Sequence, residues 1–184
     1  GAKYTSVHVE RSVDFMTVYL KSNGLSEYYI EDCARIIMST SMEVRFDEIQ
    51  FSSPEMKLSG KIHLAADLIG QMADRLYLEK LLFLYKEFME GMISGYSSEL
   101  DLLKKTKGFY ESIYGRVASD ADNINIYMRN HFEVRWDIDS DLYRDEIEKN
   151  LNYLNYVLEN HQENYRQKLR RGGIVDSLSA NIRT

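Results

Sequence analysis

Residues 76–92 read LYLEKLLFLYKEFMEGM, and this stretch decides the fold class. A helix drawn through it carries apolar side chains on several sides, and the strict alternation typical of a strand is missing. A helix that is apolar all round is usually central and buried, because other elements must cover each of its faces. We therefore expect a buried central helix over residues 76–94.

The sequence before this helix is also helical in its periodicity. A first helix has apolar residues at spacings of three and four and stops at Ser22-Asn23-Gly24, a typical C-terminal signal. Ser26 is placed to cap a second helix. Ser53 and Pro54 match the N-cap and first helical position of a third helix. Residues 45–53 are less regular, so we expect a loop there.

Three more helices are predicted after the central one. The first carries an apolar stripe over residues 102–117, the second covers Ala121–Val134, and the last long one runs over Tyr143–Tyr165. The narrow apolar seam of the last helix suits packing on a neighbouring helix or on a second copy of the chain. The prediction is an all-α bundle of about six or seven helices, followed by a frayed or disordered tail over residues 172–184.

Composition restricts the classes of partner. The net charge of −6 argues against nucleic acid as the main partner, because phosphate binding needs a concentrated positive surface. The lone cysteine, Cys33, excludes an internal disulfide framework and fits a reducing compartment. No apolar run approaches the roughly 20 residues that span a bilayer. We therefore expect a cytoplasmic protein with no membrane partner.

The segment before the central helix concentrates polar groups on one helical side. His63, Asp67, Gln71 and Asp74 lie at helical spacings of three and four within an apolar run. A carboxylate such as Asp67 is costly to bury unless a cation or several donors accompany it. Two interpretations of Asp67 stay open: metal or catalytic duty, and a cap or an ion pair with an arginine. His63 is either a second ligand or an ordinary helix histidine, and we favour the latter.

The same segment carries a family resemblance. ADLIGQMADR at 66–75, YLEKL at 77–81 and LYKEF at 84–88 resemble bacterial HD-domain proteins, which are related to the cyclic-nucleotide phosphodiesterases. Upstream, YTSVHVERSV at 4–13 and IIMST at 36–40 are similar to family segments that occur in the same order. The resemblance covers about half of the chain.

The resemblance implies a metal-dependent phosphohydrolase. Histidines and aspartates of the superfamily hold divalent cations, which activate water against a phosphoester. Asp67 matches the position of the last metal ligand. His8 is expected to hold a second cation or to orient the phosphate. Glu10 is the weaker candidate, for assisting proton transfer.

The family resemblance also implies three candidate substrate contacts. They are Gln71, Arg75 and Thr40, and the expected substrate is a phosphorylated small molecule or a nucleotide. Gln71 and Arg75 should lie one and two helical turns beyond Asp67, where they would hold that carboxylate or touch substrate. The implied domains are residues 1–95 as the C-terminal part of an HD-like domain and residues 96–171 as a helical extension.

The sequence departs from the superfamily pattern at its defining ligands. The isolated histidine and the adjacent His-Asp pair are not visible, and no His-Asp dipeptide occurs anywhere in the chain. Either the helices that carry them are absent from this sequence, or the domain is degenerate and serves as a ligand-binding or signalling module. A plain interaction protein, self-associating through the last long helix, is a third possibility.

Overall fold

The computed structural model describes residues 2–170. Over this range the chain forms eight α-helices and no strand, which confirms the all-α prediction. The helices are α1 (His8–Ser22), α2 (Glu27–Met38), α3 (Pro54–Ala73), α4 (Tyr77–Glu90), α5 (Glu99–Asp120), α6 (Arg129–Trp136), α7 (Leu142–Asn160) and α8 (Tyr165–Lys168). The tail predicted over residues 172–184 lies outside the described residues.

The chain divides into two compact units. The first unit contains residues 6–69 and 113–128, and the second contains residues 70–112 and 129–170 together with residues 2–5. The long helices α3 and α5 contribute residues to both. The division predicted at residue 95 rests on the family resemblance and stays a prediction.

In the first unit, α1 packs against α2, and a short turn connects the two helices. Gly24 has a φ of +77°, in the left-handed region that glycine tolerates, so α1 ends where the sequence predicts. Ser26 occupies the N-cap position of α2 without a side-chain hydrogen bond. Val9 is buried, whereas Phe15 on another side of α1 is 74% exposed.

The start of α3 also follows the prediction. The Ser53 hydroxyl accepts a hydrogen bond from the Met56 amide at 3.3 Å, and Pro54 is the first helical residue. Phe51 approaches this helix so closely that a Cβ on Gly60 would lie 2.6 Å from its Cζ atom. Glycine at position 60 therefore lets the aromatic ring pack directly on the backbone of α3.

In the second unit, α4 is the buried central helix that the sequence predicts, although it ends at Glu90 rather than near residue 94. Leu78, Leu81 and Leu82 are at most 5% exposed. Helix α7 contacts α4, and its residues Ile147, Asn150, Leu154 and Val157 are buried. Part of the seam predicted for the last helix is therefore used within the fold.

Two predicted helices need correction. The continuous helix expected over Ala121–Val134 is wrong, because Asp122 and Asn123 have φ values of +52° and +56°. This left-handed backbone cannot continue a right-handed helix, and a 3₁₀ helix over Ile124–Tyr127 precedes α6. The last long helix ends at Asn160, so Tyr165 belongs to the short α8 instead.

Candidate functional site

Helix α3 holds Asp67 on its solvent side. Leu64, Ala65, Leu68 and Ile69 are at most 8% exposed, whereas Asp67 is exposed. Asp67 thus remains exposed beside buried apolar residues, and the desolvation argument for a buried Asp67 does not apply. Among the described residues, no hydrogen bond or ion pair of this carboxylate is found, so the alternative of a cap or an arginine pair is not realised among them.

The other predicted residues of the first unit lie in different surroundings. His8 and Glu10 are exposed in the first turn of α1. Thr40 is half-buried, and its hydroxyl donates a hydrogen bond to the Ile37 carbonyl at 2.9 Å, at the end of α2. Within residues 2–170, no group of three or more His, Cys, Asp or Glu side chains gathers closely enough to hold a metal ion.

Arg75 and Asp74 are not on the helix that carries Asp67. Because α3 ends at Ala73, both residues lie in the turn before α4, and the placement of Arg75 two helical turns beyond Asp67 is wrong. Gln71 remains in the last turn of α3 and is exposed. His63 is exposed on the same helix, and both interpretations of it stay open.

Asp74 and Asn150 organise the turn between α3 and α4. The Asp74 carboxylate accepts a hydrogen bond from the Leu76 amide at 2.7 Å and pairs with Lys80. The Lys80 ammonium, helped by that amide, holds the pKa of Asp74 below its ordinary value of 3.8. Asn150 of α7 donates to the carbonyls of Met72 and Asp74 at 3.1 and 3.0 Å.

Sequence reasoning missed Asn150, although a signal was present. The residue falls between Ile147 and Leu154 on the apolar seam of the last helix, where an amide is out of place. It is 1% exposed. A polar residue in such a seam needs buried partners, because an unpaired buried amide is costly.

An apolar cavity of about 570 Å³ runs along α3 in the first unit. Ala66, the residue before Asp67, lines this cavity. The remaining lining residues are apolar or aromatic: Leu58, Ile62, Ala65, Ile124, Tyr127 and Met128. The cavity suits the apolar part of a bound molecule rather than a phosphate group, since no cation lines it.

Two adjoining cavities lie in the second unit. They have volumes of about 100 and 290 Å³ and share the lining residues Gln71, Tyr77, Leu81 and Leu84. Gln71, one of the predicted substrate-binding residues, thus lies at these two cavities. Burial, with a smaller contribution from Tyr96, raises the pKa of the Tyr77 hydroxyl to about 12, so this group is a hydrogen-bond donor at neutral pH.

Residues 1–128 match the Npun_R2479-like family. The chain belongs to this family. The matched range includes Asp67 and every residue that lines the three cavities, whereas α6, α7 and α8 of this Npun_R2479-like protein lie beyond it. No curated protein and no solved structure matches the chain.

The carboxylate of Glu99 is buried and has a structural role in this Npun_R2479-like protein. Glu99, 6% exposed, accepts hydrogen bonds from the Tyr165 hydroxyl at 2.7 Å and from Arg166 at 2.6 and 2.8 Å. The carboxylate therefore ties α8 to the start of α5 and is not a free catalytic group.

Along residues 2–170, none of the helices combines the length and the apolar content that crossing a membrane requires.

Proposed function

We propose that this Npun_R2479-like protein is the part of an HD-superfamily, metal-dependent phosphohydrolase that carries the last metal ligand. The observation that carries the proposal is the ADLIGQMADR segment at 66–75, which resembles the family's ligand-bearing segment. The segment lies inside the range matched to the Npun_R2479-like family, and Asp67 is accessible on α3. The proposed substrate is a phosphomonoester or a nucleotide-type phosphodiester.

The described residues supply only part of a metal site. Asp67 offers a hard oxygen ligand and His8 a nitrogen ligand, and both kinds suit a divalent cation. Two side chains leave most coordination positions to water, so these residues alone do not fit a complete site. The proposal therefore requires the isolated His and the His-Asp pair of the superfamily, which this sequence does not contain.

The remaining predicted residues keep their proposed roles. Glu10 is the proposed residue for proton transfer, and its exposure leaves it accessible. Gln71, Arg75 and Thr40 are the proposed substrate contacts. The Thr40 hydroxyl donates its proton to Ile37, so it would meet a substrate only as an acceptor.

Location and partners belong to the same proposal. We place the protein in the cytoplasm, because the lone Cys33 fits a reducing compartment. Self-association through α7 is proposed as well. Since Ile147 and Leu154 are buried, such a contact would use exposed residues of α7 such as Tyr156, which is 50% exposed.

A second candidate is a non-catalytic, HD-like ligand-binding module. One observation favours it: the Tyr77 cavities combine apolar walls with few polar groups. Such cavities are typical of small-molecule sites. This candidate predicts a protein that binds a ligand without hydrolysing a phosphoester.

Phosphoester hydrolysis distinguishes the two candidates. The full gene product should cleave bis(p-nitrophenyl) phosphate or p-nitrophenyl phosphate when Mn²⁺ is present. Asp67→Asn should lower the rate by more than the roughly 10- to 100-fold that losing an outer-shell metal partner costs. The matched control is Asp14→Asn, an exposed aspartate on α1, which should leave the rate unchanged. Absence of hydrolysis with either substrate would favour the binding module.

A further inference from the structure

The Tyr77 hydroxyl is buried and has no hydrogen-bond partner among the described residues. Tyr77 is 8% exposed and lines both cavities of the second unit. A buried hydroxyl without a partner is destabilising, and most buried polar groups therefore have one. Because Tyr77 lines both cavities, this unpartnered donor lies beside space that a small molecule can occupy.

The walls around this hydroxyl are apolar and partly flat. Leu81 and Leu84 come from α4. Phe88 and Tyr96 stack with their ring centroids 5.4 Å apart and an interplanar angle of 14°. Flat aromatic and branched aliphatic walls favour a planar ring, which they contact over a large area.

The ammonium groups at the cavities are already paired, and the Glu87 carboxylate also lines the wider cavity. Lys105 donates hydrogen bonds to the Gly95 carbonyl and the Asp101 carboxylate, both at 2.9 Å. Lys80, which lines the wider cavity, pairs with Asp74. An anion would gain little from ammonium groups that are neutralised in this way and would be repelled by Glu87, so a neutral molecule suits the lining better than an anion.

The volumes limit the size of that molecule. The narrower cavity measures about 100 Å³ and the adjoining one about 290 Å³. An apolar cavity of roughly 150 Å³ takes one benzene ring in a well-studied engineered case. The two cavities together suit one ring with a substituent.

We propose that the Tyr77 cavities form a binding site for a small neutral aromatic molecule that carries a hydrogen-bond acceptor. The Tyr77 hydroxyl donates to the acceptor, and the Phe88–Tyr96 pair and the α4 leucines contact the ring. The residues that form this site belong to the second unit, whereas Asp67 belongs to the first. The site therefore does not depend on the proposed hydrolase activity.

Binding of two matched compounds tests the site. Acetophenone has an acceptor carbonyl, and ethylbenzene has a similar shape without one. Titration of the protein with each compound is followed through the methyl resonances of Leu81 and Leu84 by NMR. Both should bind at millimolar concentration, and acetophenone should bind about fivefold more tightly, the factor expected from one neutral hydrogen bond.

Variants show whether Tyr77 causes the preference. Tyr77→Phe should bring the affinity ratio close to one while ethylbenzene binding is retained. Tyr19→Phe, which removes an exposed hydroxyl on α1, should leave the ratio unchanged. Leu84→Trp fills the cavities and should abolish binding of both compounds, which gives a second test if Tyr77→Phe does not fold. The site is overturned if neither compound binds, or if the preference survives in Tyr77→Phe.

Discussion

At the scale of single residues, Asp74 illustrates how one carboxylate stabilises a turn. It accepts a hydrogen bond from the Leu76 amide and pairs with Lys80, so the residue after α3 is tied to the first turn of α4. The Lys80 interaction is the main reason that the pKa of Asp74 is lower in the folded chain than in the unfolded chain. A lowered pKa means that the folded state favours the ionised carboxylate, which links stability to pH.

Asp74→Asn should therefore destabilise the protein in a pH-dependent way. The contribution of Asp74 is fully present above its unfolded pKa of 3.8 and is lost as the pH falls through the lower folded value. Because both partners are partly exposed, we expect about 0.5–1 kcal/mol at pH 7. Urea unfolding of both proteins between neutral pH and pH 3 measures the difference. A difference that stays constant over this range would show that the ion pair contributes nothing.

Asp67 shows which properties of a residue the sequence predicts and which it does not. Its place on a helix follows from periodicity, and its expected role follows from the family resemblance. Its exposure does not follow from the flanking sequence, because Leu68 and Ile69 beside it are buried whereas Asp67 is not. Whether a carboxylate is buried depends on which side of its helix the rest of the chain covers, and that is a property of the fold.

At the scale of elements, two glycines of α3 have opposite roles. A Cβ on Gly60 would meet the Phe51 ring at 2.6 Å, whereas a Cβ on Gly70 would meet nothing within 4 Å. The Phe51 ring is itself held against Phe46, with ring centroids 5.3 Å apart, so it cannot move away freely. The first glycine is required for packing, and the second only lowers helix propensity.

Gly60→Ala should destabilise the protein by about 1–3 kcal/mol, because the added methyl group overpacks against Phe51. The double variant Gly60→Ala with Phe51→Leu should recover part of the lost stability. Gly70→Ala is the matched control and should stabilise the protein by up to about 1 kcal/mol. Thermal and urea unfolding of the three variants measure these effects. Equal stability of the two single variants would contradict the close contact between Phe51 and α3.

The elements were predictable where their signals are local. The stop at Gly24 and the start at Ser53-Pro54 depend on neighbouring residues, and both agree with the structure. The break at Asp122 and Asn123 was missed, because neither residue is glycine and both also occur within helices. Asn150, which fixes the end of α3, acts across 76 and 78 positions of sequence, and a contact of that kind is not visible in local periodicity.

At the scale of the whole molecule, the all-α fold and the proposed activity rest on different grounds. The fold follows from apolar periodicity along the chain, and the structure confirms it over residues 2–170. The activity depends on a metal site to which this chain contributes Asp67 and His8 as proposed ligands. Membership in the Npun_R2479-like family places the Asp67 segment and the Tyr77 cavities within one matched range, residues 1–128.

Metal content of the full gene product tests the central claim most directly. Elemental analysis by mass spectrometry should find at least one divalent metal ion per chain after purification without added chelator. Asp67→Ala should lose most of it, because removing a ligand weakens the site, and Asp14→Asn should retain it. A full gene product that is metal-free, or that holds the same metal content with Asp67→Ala, would contradict the assignment of Asp67 as a metal ligand.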